Sequence, residues 1–321
     1  MLATLAATAA ATVTAAIPFP TNIAFDPAGG MWVTSGAGGA QSSDGVWYLP
    51  RGARHLRHVA SGLHTALGLR WYGGRLYVGH VVSPSRGRVT ALSGFDGAKF
   101  TKRRAILPRL RIGRHTVDSI VADPRTGRLL VGVGSVADHA GPPGRVLSFR
   151  PDGTDVRTEA TGLRNPYGLA FIPGTRRLLI TDNARDDLGL TRPPDELDLA
   201  DLSAAGTPRF GFPRCTRPPC RAPVAKLPPH ASADGLAVKK GPHGTTIAYV
   251  AEFGSSFAAN PTGRDVRRIT LTRRGGAYRA RVEVIQRFPS NDPLGAAIGP
   301  DGRLYVSLLA SGKVLRYQAG V

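Results

Sequence analysis

The feature that most limits what this 321-residue chain can become is one hairpin repeated six times. A short apolar strand, a turn rich in Pro, Gly and Asp, and a second apolar strand recur along its length. The copies are IAFDPAGGMWVTS (23–35), LRWYGGRLYVGH (69–80), IVADPRTGRLLVGVGS (120–135), LAFIPGTRRLLITDN (169–183), LAVKKGPHGTTIAYVAE (236–252) and AAIGPDGRLYVSL (296–308). Their starts lie 46, 51, 49, 67 and 60 residues apart. That spacing suits a repeat of about 40–50 residues holding four short strands, with loop insertions late in the chain.

Further strands follow most hairpins: GVWYL (45–49), GRVTAL (87–92), GRVLSF (144–149), DVRRITL (265–271) and GKVLRY (312–317). The more polar DVRTEAT (155–161) and YRARVEVI (278–285) alternate as half-exposed outer strands do. The 40 Gly and 26 Pro residues are spread throughout, and no amphipathic stretch is long enough for a long helix. The expected fold is therefore all-β, a six-bladed β-propeller of four-stranded blades. The strand at 312–317 would complete a blade near the chain start, so that pairing of the two terminal segments closes the ring.

Residues 2–16, LATLAATAAATVTAA, are small, apolar and uncharged. They are shorter than the ~20 residues a bilayer span needs and have the Ala-rich end of an export signal. The expected organisation is a signal-like leader over 1–16 and one propeller domain over 17–321, located outside the cytoplasm, with no transmembrane segment. Cys215 and Cys220 are the only cysteines, too widely spaced for a C-x-x-C motif and without a second pair for zinc. In an exported protein they are expected to form a local disulfide. The formal charge is +20, but the basic residues are dispersed and aromatic platforms are sparse, so no nucleic-acid partner is expected.

The hairpin geometry brings the start of each first strand and the end of each second strand to one mouth of the ring. Five residues before the first strand, the repeats place His64, His115, Arg164 and Asn291. The ends of the second strands add His80, Ser135, Asp138, His139, Asn183, Asp186, Asp187 and Glu252. His115 is suited to general-base chemistry, and equally to a hydrogen-bonded loop position. The segment 162–213 gathers Arg164, Asn165, Asn183, Asp186, Asp187, Asp195 and Glu196. Its carboxylates and amides are oxygen ligands of the type calcium takes, or a solvated acidic loop paired with Arg185 and Arg192. No G-x-S-x-G elbow, P-loop or dinucleotide fingerprint follows a strand.

The motifs around His115, with GRVLSFRPDG (144–153), GLRNPYGLAF (162–171), TDNARDDLG (181–189), PPDEL (193–197), FGFP (210–213) and PPHASADGLAV (228–238), resemble the PQQ-dependent sugar dehydrogenases. Within that family the similarity is to the sorbosone/aldose dehydrogenase branch of six-bladed propellers. The resemblance implies PQQ and Ca2+ as cofactors, a sugar-like substrate and an external electron acceptor. It implies His115 as the base, Arg164 as the group stabilising charge on the quinone oxygen, and Asn165 as a cofactor contact. Asn183 and Asp186 are the implied calcium ligands.

The chain also departs from the family. Asn183-Ala184-Arg185-Asp186 stands where glucose-dehydrogenase relatives present Gly-Pro carbonyls. Ser256-Phe257-Ala258 replaces a Trp-Asn-Arg run, and Leu308-Leu309 replaces acidic residues. Two other functions compete: a non-catalytic binding propeller that has lost its site, and a calcium-dependent lactonase using Glu252, Asn183 and Asp138.

Overall fold

The computed structural model describes residues 10–14, 16–36, 41–213, 221–255 and 262–318. They form six four-stranded antiparallel sheets. The first blade holds β2 (Pro20–Phe25), β3 (Met31–Ser35), β4 (Gly45–Leu49) and β5 (Arg57–Ser61). The second holds β6 (His64–Tyr72), β7 (Arg75–Ser83), β8 (Arg86–Phe95) and β9 (Phe100–Arg111); the third, β10 (Val117–Ala122), β11 (Leu129–Val133), β12 (Gly144–Phe149) and β13 (Arg157–Leu163). In the fourth are β14 (Pro166–Phe171), β15 (Arg177–Asp182), β16 (Glu196–Asp201) and β17 (Ala225–Lys226). The fifth comprises β18 (Ala233–Lys240), β19 (Thr246–Glu252), β20 (Asp265–Arg274) and β21 (Ala277–Arg287). All six repeated hairpins form the two inner strands of a blade, as the repeat predicts.

The sixth blade is built from both ends of the chain. It runs β22 (Pro293–Ile298), β23 (Leu304–Leu308), β24 (Lys313–Tyr317) and then β1 (Ala10–Thr14). Ala10 lies opposite Tyr317 and Thr12 opposite Leu315. The expected closure by terminal pairing is therefore present. The strand that achieves it lies within the segment 1–16 read as a leader.

Turn chemistry explains why the hairpins recur. In the first, Asp26 accepts hydrogen bonds from the Gly30 amide and from the Trp32 indole, both at 2.9 Å. In the third, Asp123 accepts from the Arg125 amide at 2.9 Å. Such aspartates replace backbone partners inside the turn and fix its return. Side chains on the two faces of each sheet then pack against the two neighbouring blades. Six apolar clusters result, one at each interface. Trp32 and Val46 meet Leu69, Leu76 and Val78 between the first two blades. Ile17, Ile23, Val33, Tyr305 and Val314 close the ring between the last blade and the first.

One sequence expectation changes. Glu196, read as part of an acidic loop, opens strand β16 and pairs in register with Asp182. Leu197 of that strand is fully buried against the fifth blade, so the alternation of ELDLAD carries a core face. Cys215–Cys220 and Ser256-Phe257-Ala258 lie outside the described residues.

Candidate active site

The backbone around three strand ends is stitched together at one mouth of the ring. The His115 amide donates to Ser135 O at 3.3 Å, and the Ser135 amide donates to Arg164 O at 2.7 Å. The Asn183 amide donates to Asn165 O at 3.3 Å. Asp182, at the end of β15, accepts from the amides of Arg164 (3.0 Å) and Asn165 (2.7 Å). Burial pushes its pKa up to about 7 against the pull of those two amides. Gly134 is the spacer between the third and fourth blades. A Cβ there would overlap that of His115 and come within 2.9 Å of Asn165 Oδ1.

These loops enclose a cavity of about 360 Å³, lined by Arg114, His115, Arg164, Asn165, Asn183 and Asp186 among others. His115, Arg164, Asn165, Asn183 and Asp186 were each expected in the site, and the structure brings all five to this cavity. Asn291, equivalent to His115 and Arg164 in the repeat, also lines it and donates to Gly254 O at 2.8 Å. His64, the fourth equivalent, does not. It pairs with Asp44 at 2.9 Å and faces a separate apolar pocket beside Val82.

Arg164 is 3% exposed and held between two carboxylates, Asp138 Oδ1 at 2.7 Å and Asp186 Oδ2 at 2.6 Å. Its Nη1 donates to Asn183 O at 3.1 Å, while its Nε has no hydrogen-bond partner among the described residues. His115 Nε2 lies 3.4 Å from Asp138 Oδ1 but is not aligned to hydrogen-bond with it. Burial, reinforced by the charge of Arg164, lowers the His115 pKa to about 4, so the imidazole is neutral at pH 7. Asp138 feels burial too, but the cations Arg164 and Arg114 outweigh it and hold the carboxyl below its ordinary range. Arg114 reaches the other Asp138 oxygen at 3.0 Å.

Asp186 has its second oxygen 3.0 Å from His230 Nδ1, and His230 Nε2 contacts Gly189 O at 2.8 Å. Asn183 Nδ2 donates to Asp234 Oδ1 at 2.9 Å, leaving Asn183 Oδ1 unpartnered. Asp187 turns outward to Arg185, at 2.8 and 2.6 Å. The acidic loop is thus divided. Asp187 behaves as a solvated surface residue, whereas Asn183 and Asp186 face the site.

The calcium expectation meets a different geometry. Both Asp186 oxygens are committed to Arg164 and His230, and only Asn183 Oδ1 is unused. Among the described residues no group of three or more His, Cys, Asp and Glu is placed to hold a metal ion. Calcium takes six to eight oxygens, so Asn183 and Asp186 would need further oxygen ligands, and Asp186 would have to release Arg164 or His230, before they could hold it. The lactonase ligand set is dispersed as well. Glu252 is fully buried 2.8 Å from Arg267, Asp138 serves Arg164 and Arg114, and Asn183 serves Asp234.

Three cavity residues, Tyr167, Ser232 and Asp234, escaped the sequence reading, and His230 was legible only as a weaker histidine candidate than His115. Burial pushes Asp234 up to about 8 and Asp195 up to about 7. His230 and Asp234 both lie in PPHASADGLAV, whose resemblance to the family was the available signal. The leucines of the last blade add no polar group here: Leu308 is buried and the Leu309 amide donates to Asp292 O at 2.8 Å.

No family model matches the chain. A Borreliella burgdorferi protein described only as uncharacterized is 26% identical over 273 residues, covering 76% of this chain and 69% of that protein. Solved structures resemble it over nearly its whole length. A Trichoderma reesei carbohydrate-active enzyme of family AA12, in a calcium structure, aligns with a TM-score of 0.78 at 18% identity, covering 99% of this chain and 98% of its own. The PQQ-bound aldose sugar dehydrogenase of Streptomyces coelicolor gives 0.76 at 18%, covering 96% of each chain. The holo PQQ domain of Coprinopsis cinerea pyranose dehydrogenase gives 0.74 at 17%, covering 96% and 95%. At these identities the likeness establishes the fold. It is the six-bladed propeller of PQQ-dependent sugar dehydrogenases, the family that the sequence motifs resemble.

Proposed function

We propose that this chain is a PQQ-dependent oxidoreductase acting on a sugar, polyol aldehyde or related hydroxyl- or aldehyde-bearing substrate. The observation that carries this reading is a set of buried polar atoms around one cavity that have no hydrogen-bond partner among the described residues: His115 Nε2, Arg164 Nε, Asn165 Oδ1, the Tyr167 hydroxyl and Asn183 Oδ1. Unsatisfied buried groups are costly, and five around one cavity suit a polar ligand that completes them. The charges suit an anionic, acceptor-rich quinone. Arg114 and Arg164 face the cavity, while burial raises the pKa of Asp195 to about 7 and of Asp234 to about 8, which limits the negative charge they carry near neutral pH.

In this reading Arg164, Arg114 and Asn165 hold the cofactor, and the bound quinone supplies the acceptor for hydride. His115 Nε2, neutral at pH 7 and unpartnered, takes the proton of the substrate hydroxyl. Arg164, fixed by Asp138, Asp186 and the Asn183 carbonyl, offers a preorganised cation where negative charge develops. With the quinone bound, an external electron acceptor would be needed to complete the cycle. No step is assigned to calcium, because the donor set does not assemble one. The Ala-rich stretch 2–16 supports an extracytoplasmic location as part of the same proposal.

The test is to titrate purified protein with PQQ, with and without calcium, and follow the quinone absorbance. A saturable bound spectrum that an aldose bleaches is the expected result. No saturable binding under either condition would leave the non-catalytic propeller as the better reading.

A further inference from the structure

The central channel has a second chamber, at the turn end opposite His115. It measures about 410 Å³ and is walled by the inner strands of all six blades. That volume falls in the ~300–1,000 Å³ range of small-molecule sites. Its walls obey the repeat. The second residue of each repeated inner-strand motif lines the chamber, and in five blades it is small and apolar: Ala24, Val121, Ala170, Ala237 and Ala297. In the second blade the same position holds Arg70.

Arg70 is the one charged side chain among the described residues lining this chamber. It keeps contact with solvent in the channel and has neither a hydrogen-bond nor an ion-pair partner among the described residues. By contrast, the more deeply buried Arg164 and Arg267 are paired with carboxylates, Arg164 with Asp138 and Asp186 and Arg267 with Glu252. Arg70 is exposed to the channel, yet the surrounding walls still lower its pKa, a direction that a bound anion would reverse. Nearby polar groups do not compete for it: the Asn22 amide is used by Leu67 O at 2.9 Å.

A planar fork of donors within alkyl walls selects both a charge and a body. We infer that this chamber is a binding site for a small amphiphilic carboxylate, its carboxylate on Arg70 and its apolar body against the alanines of the facing blades. This site is separate from the His115 cavity and does not rest on the proposed dehydrogenase activity.

The test uses the whole protein and calorimetric titration with octanoate, with acetate and 1-octanol as comparisons. Octanoate should bind saturably at one site, and acetate and octanol should each bind much more weakly. Arg70→Met, which keeps the stem but removes the charge, should weaken octanoate ~10-fold to ~100-fold, the worth of one charge-assisted contact. Ala170→Phe keeps Arg70 but fills the facing wall, and should also abolish binding. Circular dichroism and thermal melts establish that both variants are folded. Non-saturable binding, wild-type affinity in either folded variant, or octanol binding as well as octanoate would each overturn the inference. Arg70 would then simply close the channel.

Discussion

Asp186 Oδ2 lies 2.6 Å from Arg164 Nη2, so the cation expected to meet an anionic cofactor is already shared with a carboxylate from its own blade. Asp138, from the neighbouring blade, takes the same nitrogen at 2.7 Å. This arrangement fixes Arg164 and at the same time dilutes its charge. Asp186→Asn preserves shape while removing one negative charge, and should tighten PQQ binding several-fold in an absorbance titration. The opposite outcome, weaker binding that calcium does not restore, would mark Asp186 as a cofactor contact.

The second prediction concerns Gly134. Its missing side chain is what lets His115 and Asn165 approach from adjacent blades. Gly134→Ala should displace His115, cost about 1–3 kcal/mol of stability through overpacking, and lower turnover more than cofactor affinity. Denaturant unfolding and steady-state kinetics separate the two effects. Equal stability and turnover would show that the loop relaxes without moving the imidazole.

Much of this was legible in the chain because turn chemistry repeats. Asp26 and Asp123 do the same work at equivalent turns, and that periodicity survives divergence of the strands between them. The repeat also aligned His115 with Arg164, and so placed both at one mouth. What it could not convey was pairing. Asp138 and Asp186 were visible as mouth residues, but nothing local indicated that both would converge on Arg164. His230 reaches Asp186 from 44 residues away. Strand β16 was hidden for a different reason. Glu196 read as part of an acidic loop, yet it opens a strand in which Asp198 is fully buried.

His115 should set the acid limb of the pH profile. A base works only while unprotonated, and burial with the Arg164 charge holds its pKa near 4. Turnover should therefore stay level as pH falls from 7 and drop only as it passes through about 4, well below the ~6.5 of an ordinary histidine. His115→Ala should lose ~10²- to ~10⁴-fold in kcat while retaining PQQ. An acid limb near 6.5, or unchanged turnover in the variant, would remove His115 from the mechanism.

Asp234 links the site to stability. Burial raises its folded pKa to about 8, far above the 3.8 of the unfolded chain. The folded state therefore prefers the protonated form. Its stabilising contribution is full below about 3.8 and is lost progressively as pH rises through about 8. Asp234→Asn mimics the neutral form and can still accept from Asn183 and pair with Ser232. Its melting temperature should exceed that of the wild type by a margin that widens from pH 5 to pH 9. Asp182 and Asp195 titrate in both proteins, so the difference isolates Asp234. A margin that stays constant across this range would mean that Asp234 is ionised throughout.

The last prediction concerns ring closure. Strand β1 covers the outer edge of β24, with Ala10 packed against the cluster that holds the fully buried Tyr317. Cleavage near Ala15–Ala16, as the Ala-rich stretch suggests, would remove that strand. It would leave the Ile17 amide still donating to Gly312 O at 3.1 Å. An uncovered β24 would present unpaired backbone groups and an exposed aromatic core edge, a template for association. Two proteins, one starting at Ala10 and one at Ile17, separate the possibilities. If β1 is part of the working domain, the shorter protein should melt at a lower temperature and self-associate with rising concentration, read by calorimetry and size-exclusion chromatography. The longer one should remain monodisperse at the same concentrations. If both behave alike, the closing blade tolerates three strands, and removal of the first sixteen residues on export is compatible with the fold.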